Sequence, residues 1–201
     1  MLGQFKQHIQ RLIRTQEGIA YLEFALALPV LLTMFLGAVE VTRYVLVAQK
    51  VEKISVTMSD LVAQSSTMSS NELDVLVQAA GQVMQPYNFK PDGYVIVSSV
   101  TKTGTAQPVV SWQYRGGGDW VQPSKVGTQG GAATLPSGFS MVDKDNVIIA
   151  EIYYRFTPLM GNMVGNVISG STLYRHAIFK PRLGDLKVLS FFVQPHLGGA
   201  S

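Results

Sequence analysis

The sequence predicts an α+β fold in which a long N-terminal helix, apolar in its first half and amphipathic in its second, packs on a small antiparallel sheet. Three observations carry this. Between Glu17 and Glu40 lie 22 residues whose one charge is Glu23. The stretch after Glu40 repeats apolar residues at spacings of three and four, one face of a helix. From Gly93 onward, β-branched and aromatic residues alternate with polar ones between turn-forming clusters, the signature of strands.

The apolar run comes first in the chain. Roughly 20 apolar residues cross a bilayer core as helix, so residues 19–40 read as a transmembrane segment. Lys6, Arg11 and Arg14 precede it, whereas the following flank (Glu40, Arg43, Lys50, Glu52, Lys53) mixes signs. The positive-inside bias then places residues 1–18 in the cytoplasm and residues 41–201 outside. An ordinary cleaved secretory signal fits less well, because the run exceeds the usual apolar region of about 7 to 15 residues. Pro29 lies inside the run, where it removes one helical hydrogen bond and is expected to bend the helix.

Tyr44, Val47, Val51, Ile54, Met58 and Leu61 continue the helix outward on one face. A single helix over residues 19–64 would be about 70 Å long, and Ser65, Ser66 and Thr67 break it. Ser69 followed by Glu72 is a candidate capping box for a second helix over residues 71–85, which Pro86 ends. Strands are expected at about 93–101 and 109–115, joined by a Thr-Gly-Thr turn at 103–105 as a hairpin in which Val110, Trp112 and Tyr114 alternate with Ser111 and Gln113. The strongest strand signal covers 147–157: Ile148, Ala150, Ile152, Tyr154 and Phe156 line the buried side, leaving Glu151 and Arg155 on the other. A turn region from Met160 to Gly170 leads to a last strand at 172–179, expected to pair with it. Residues 116–140, rich in Gly, Ser, Thr and Pro, read as a long surface excursion. The apolar patch Val188–Val193 in the tail has no evident place.

Composition narrows the function classes. A chain of 201 residues holds one hydrophobic core and one anchor. With no Cys there is neither a disulfide framework nor a thiolate metal site, although a domain of this size folds outside the cytoplasm without staples. The formal charge of +3 is mostly local. Lys6, Arg11 and Arg14 against Glu17 supply +2 of it and positions 19–201 only +1, too little for a nucleic-acid surface.

Chemistry is sparse. His8, His176 and His196 are too separated for a ligand set or a triad, and His176 reads as an ordinary strand residue. Gly116-Gly117-Gly118 lacks the Lys-Ser/Thr and the strand-to-helix setting of a phosphate loop. Asp143-Lys144-Asp145-Asn146 spaces its acids as a Ca²⁺ loop does, but the other ligands and the turn Gly are missing, so it reads as a solvated turn. No metal, cofactor or small-molecule substrate is expected, and an envelope enzyme would need a convergent polar constellation that the sequence does not offer. What stands out is Glu23, a carboxylate at a depth where charge costs a few kcal/mol unless it snorkels or finds a partner.

At these residues the chain resembles a known family. Gly18-Ile19-Ala20-Tyr21-Leu22-Glu23-Phe24 is similar to the Gly-x-x-x-x-Glu-aromatic processing motif of Tad (Flp) class type IV prepilin-like proteins. The wider run through Pro29 resembles the TadE/TadF-like pseudopilins, over roughly residues 11–48, and Val147–Leu159 is similar to a strand-then-Pro-Leu segment of the TadE-like domain. The resemblance implies a pilin-like fold and a single-pass bacterial inner-membrane protein with a periplasmic main domain. It implies that a prepilin peptidase cuts between Gly18 and Ile19 and that Phe24 is the motif aromatic. It implies that Glu23 pairs with the N-terminal amine of a neighbouring subunit, cancelling two charges that lipid disfavours singly. Implied partners are the bilayer, the peptidase, other pilins or pseudopilins and the Tad platform proteins. A minor pseudopilin that primes or caps a Tad/Flp-type pilus is the expected role; the alternative is an unprocessed, permanently anchored adhesion or assembly protein of the same machinery, as TadG-like proteins are.

Overall fold

The computed structural model describes residues 16–65, 67–159, 171–182 and 187–188. The expected leader with Lys6, Arg11 and Arg14, the expected turn over residues 160–170 and most of the tail lie outside the described residues. The chain divides into two compact units, the first ending at Val45 and the second beginning at Leu46. Helix α1, Gln16–Ala63, contributes to both.

In the first unit α1 is an apolar surface. Two of its hydroxyls turn inward on the helix backbone: those of Thr33 and Thr42 donate to the carbonyls of Pro29 and Ala38, each at 2.8 Å. Pro29 sits within the helix, and because it has no N–H, the carbonyl of Ala25 loses its usual donor. Arg43 and Glu40 pair at 3.3 Å one turn apart. Large apolar side chains stand exposed along the helix, Tyr21 at 77% and Met34 at 69% among them. Among the described residues, α1 is the one helix long and apolar enough to cross a membrane.

The second unit is α+β and has three layers. The remainder of α1 buries Val47, Val51, Ile54, Met58 and Val62. Among them Ser59, small and fully buried, turns its hydroxyl to the sheet carbonyls of Ile148 and Ala177 at 3.1 and 3.2 Å. Strand β1, Thr67–Met68, then leads to α2, Ser70–Met84. The capping box at the start of α2 is complete: the Glu72 amide donates to the Ser69 hydroxyl while the Glu72 carboxylate accepts from the Ser69 amide. Lys50 extends from α1 to the far end of α2, donating to the carbonyls of Val83 and Gln85 at 2.9 and 2.8 Å. That places a cation at the negative end of the helix dipole.

The sheet comprises β2 (Gly93–Thr101), β3 (Val109–Gly116), β4 (Asn146–Arg155) and β5 (Thr172–Phe179), in the order β3-β2-β4-β5, with every pairing antiparallel. A two-residue strand β6, Lys187–Val188, pairs in parallel with β1. It accounts for the start of the tail's apolar patch, whose remainder lies outside the described residues.

Two sequence expectations need correction. A register shift at Ser99/Val100 sets Val110 opposite Val100 but Trp112 opposite Ser99. Val110 therefore points to the opposite face from Trp112 and Tyr114, because a bulge inserts one residue and reverses the alternation beyond it. The second correction concerns β4. Its odd-numbered face is not solvent-facing: Val147 and Ile149 join Val100, Val110, Val126 and Met141 in a buried cluster, and Glu151 is fully buried. Arg155, at the strand end, is exposed as expected.

The reason is the segment 116–142, which forms the third layer instead of a free surface excursion. It is irregular but held at many points. Ala132 bridges to Val109, Val110 exchanges hydrogen bonds with Gly131 and Gly130, and Thr134 donates to Val126. Val126 and Met141 are the buried apolar residues of this cover, with Leu135 and Phe139 packed beside them. The Gly116-Gly117-Gly118 run is where the chain leaves β3 to cross over. Gly117 has φ +93, a left-handed conformation. A Cβ on Gly118 would lie 1.9 Å from the Gly93 carbonyl oxygen and 2.6 Å from that of Lys90, so glycine is required for close passage over backbone.

Candidate functional site

The residues singled out from sequence lie on the first turns of α1. Gly18 is in the opening turn. Ile19 is 52% exposed and Phe24 61%, and Glu23 and Pro29 are exposed too. Ile19 and Glu23, four positions apart, share one face and are separated by one helical turn, about 6 Å along the axis. Glu23 has no hydrogen-bond or ion-pair partner among the described residues. The geometry thus offers a carboxylate standing alone on an apolar helical surface. If the chain began at Ile19, Glu23 would fall in the second turn of a helix carrying a free amine, closer to the positive end of the helix dipole than it is now.

Among the described residues no three His, Asp or Glu are placed to hold a metal ion. His176 is exposed on β5, its ring 5.6 Å from that of Tyr174. Asp145 is committed to structure: it accepts from Lys180 at 2.9 Å and from the Val142 amide at 3.0 Å. These bonds, that to Lys180 foremost, hold its carboxyl below the usual range. Asp143 accepts from the Gly104 amide, so the acidic turn fastens two loops together.

Sequence reading missed Glu151. One of its oxygens accepts from the Lys125 amide at 2.8 Å and from the Tyr174 hydroxyl at 3.0 Å, and the other from the Ser124 hydroxyl. Ser124 in turn accepts from the amides of Val126 and Gly127, and the ammonium of Lys125 lies 3.8 Å above the Tyr174 ring. Burial, and after it the nearby Glu151 charge, pushes the Tyr174 phenol well above its ordinary value and that of Tyr153 up to about 12. Neither phenol is a base near neutral pH. Each oxygen of Glu151 is occupied by donors from the chain itself, which makes it a clasp that fixes the cover to the sheet. The signal that could have found it is the near-continuous apolar run around it, Val147–Ile149 and Ile152–Tyr154, which marks a strand covered on both faces.

A family model, that of TadE-like proteins, matches residues 18–55. The match begins at Gly18, spans Glu23, Phe24 and Pro29, and reaches the part of α1 that carries Val47, Val51 and Ile54. No curated protein matches the chain, and no solved structure does.

Proposed function

We propose that this Tad pilus-related chain, TadE-like over residues 18–55, is a minor pseudopilin or assembly component of a Tad/Flp-type pilus. In this reading residues 1–18 are a cytoplasmic leader, residues 19–40 cross the inner membrane, and residues 41–201 lie in the periplasm. A prepilin peptidase cuts between Gly18 and Ile19. The new Ile19 amine and the Glu23 carboxylate of adjacent subunits then neutralise each other as the helix leaves the bilayer for the filament. Other pilins and the inner-membrane platform proteins are the partners, and the protein primes or caps assembly without catalysing a reaction.

The observation that carries this is the placement of Glu23: a single carboxylate without an intramolecular partner among the described residues, five positions after Gly18, on an exposed apolar helix. Such a charge costs a few kcal/mol in lipid when unpaired, and pairing recovers that energy only if both members are desolvated together. The test is incorporation into sheared surface filaments. Glu23→Ala should reduce the protein in the filament fraction at least about tenfold, since one unpaired buried charge on the neighbouring subunit costs 1.4 kcal/mol or more, while membrane insertion stays unchanged. Equal recovery of wild type and Glu23→Ala would sink the charge-pair role and favour an anchored, unprocessed protein.

A further inference from the structure

The two edges of the sheet differ. At β3 the cover closes the edge near its start, where Gly131 and Gly130 take up the amide and carbonyl of Val110. At β5 no described residue closes the edge. Phe156 donates to the carbonyl of Ser171, so the period-two alternation turns the backbone groups of Leu173, Arg175 and Ala177 toward β4 and those of Thr172, Tyr174, His176 and Ile178 outward. The Tyr174 carbonyl accepts from the Arg175 side chain at 2.9 Å, as an outward group would. Among the described residues no backbone group pairs with the other outward amides and carbonyls. β5 runs eight residues with no Pro and no register shift against β4, which leaves it without the usual devices that blunt an edge apart from charge.

The side chains bordering this edge are sorted by face. On the helix side are Leu173 and Ala177, both buried, and half-buried Phe179, with Arg175 held 3.8 Å from Glu52. On the cover side are Tyr174, exposed His176 and, at the far end, half-buried Ile178, with the exposed Lys125 ammonium 3.8 Å above the Tyr174 ring. A second copy of β5 pairing antiparallel about Arg175 would set Arg175 against Arg175, an unfavourable cross-strand match. The complementary strand has apolar residues on one face, beside Leu173, Ala177 and Phe179, and carboxylates on the other, beside Lys125 and His176.

We propose that the outer edge of β5 takes up, as an added strand, an extended segment of another protein in which apolar and acidic residues alternate. Main-chain hydrogen bonds to the outward groups supply the attachment and the two faces supply the selectivity. This goes beyond the pilus reading and does not depend on cleavage of the leader.

The test uses the full chain in detergent micelles and two synthetic peptides of about ten residues, one alternating valine and glutamate, the other valine and lysine. Hydrogen exchange is read residue by residue. The glutamate peptide should slow exchange at Tyr174, His176 and Ile178 by about tenfold or more, leaving the Arg175 and Ala177 amides, already bonded to β4, unchanged. His176→Pro removes an outward donor without disturbing the β4 ladder and should abolish the effect. Lys125→Glu should move the preference toward the lysine peptide. No slowing with either peptide, equal slowing with both, or slowing that grows with protein concentration in the absence of peptide overturns the proposal; the last of these would assign the edge to a second copy.

Discussion

Replacing Glu151 by Gln tests how the cover is held. Three donors converge on the carboxylate: the Lys125 amide, the Tyr174 hydroxyl and the Ser124 hydroxyl. Ser124 already accepts from the Val126 and Gly127 amides, so its own proton is directed at Glu151. A Gln carbonyl serves two donors and leaves the third facing an NH₂ group. Two bonds lose their charge assistance, about 0.5–1.5 kcal/mol each, and one buried donor is orphaned at about 1–3 kcal/mol. Easier burial of the neutral amide offsets part of this, and a net loss of about 3 kcal/mol follows. The loss falls on local opening of the cover, so tryptic cleavage after Lys125 in the native full chain should accelerate about 100-fold, given about 1.4 kcal/mol per factor of ten. A cleavage rate within about threefold of wild type would refute the clasp and imply that Val126 and Met141 hold the cover alone.

Gly118→Ala should destabilise the second unit by about 3 kcal/mol or more, because the added methyl meets the Gly93 carbonyl at 1.9 Å; chemical denaturation in micelles reads this, and a loss below about 1 kcal/mol would contradict the close passage. Ser69→Ala breaks the capping box and should cost about 1 kcal/mol in the same assay. Ile54→Ala, at a side chain 2% exposed, should cost about 2–5 kcal/mol. Raising the pH gives a further check. With burial raising its folded pKa to about 12 from the ordinary 10.0, Tyr153 favours the folded state fully below about pH 10, and that contribution fades as pH climbs from about 10 toward 12. Stability measured across that window should therefore fall with a steeper slope in wild type than in Tyr153→Phe.

How much of this was legible beforehand follows from how local each signal is. The long helix, the Ser69 capping box and the strand segments announce themselves within a few residues, through periodicity or a cap, and each has a counterpart in the structure. Glu151 is read only in part that way. The apolar run around it, Val147–Ile149 and Ile152–Tyr154, marks a strand covered on both faces, but what covers it is a distant segment rich in Gly, Ser, Thr and Pro, in which Val126 and Met141 follow no periodicity. The bulge at Ser99/Val100 is a property of the pairing between two strands and shows in neither alone. The β1 and β6 pair joins two residues to two others more than a hundred positions away, too short for propensity to mark. The Gly18 to Phe24 motif is the opposite case. It is fully visible in sequence and hardly enriched by the fold, because Glu23 meets no partner among the described residues.

The central claim is tested most directly by the mass of the mature protein recovered from cells with an active prepilin peptidase. The account predicts a chain that begins at Ile19 and a shift to the full-length mass when Gly18 is replaced by a bulky residue. Recovery of the wild-type chain with residues 1–18 still attached would contradict it and leave Glu23 as a carboxylate in an uncut anchor.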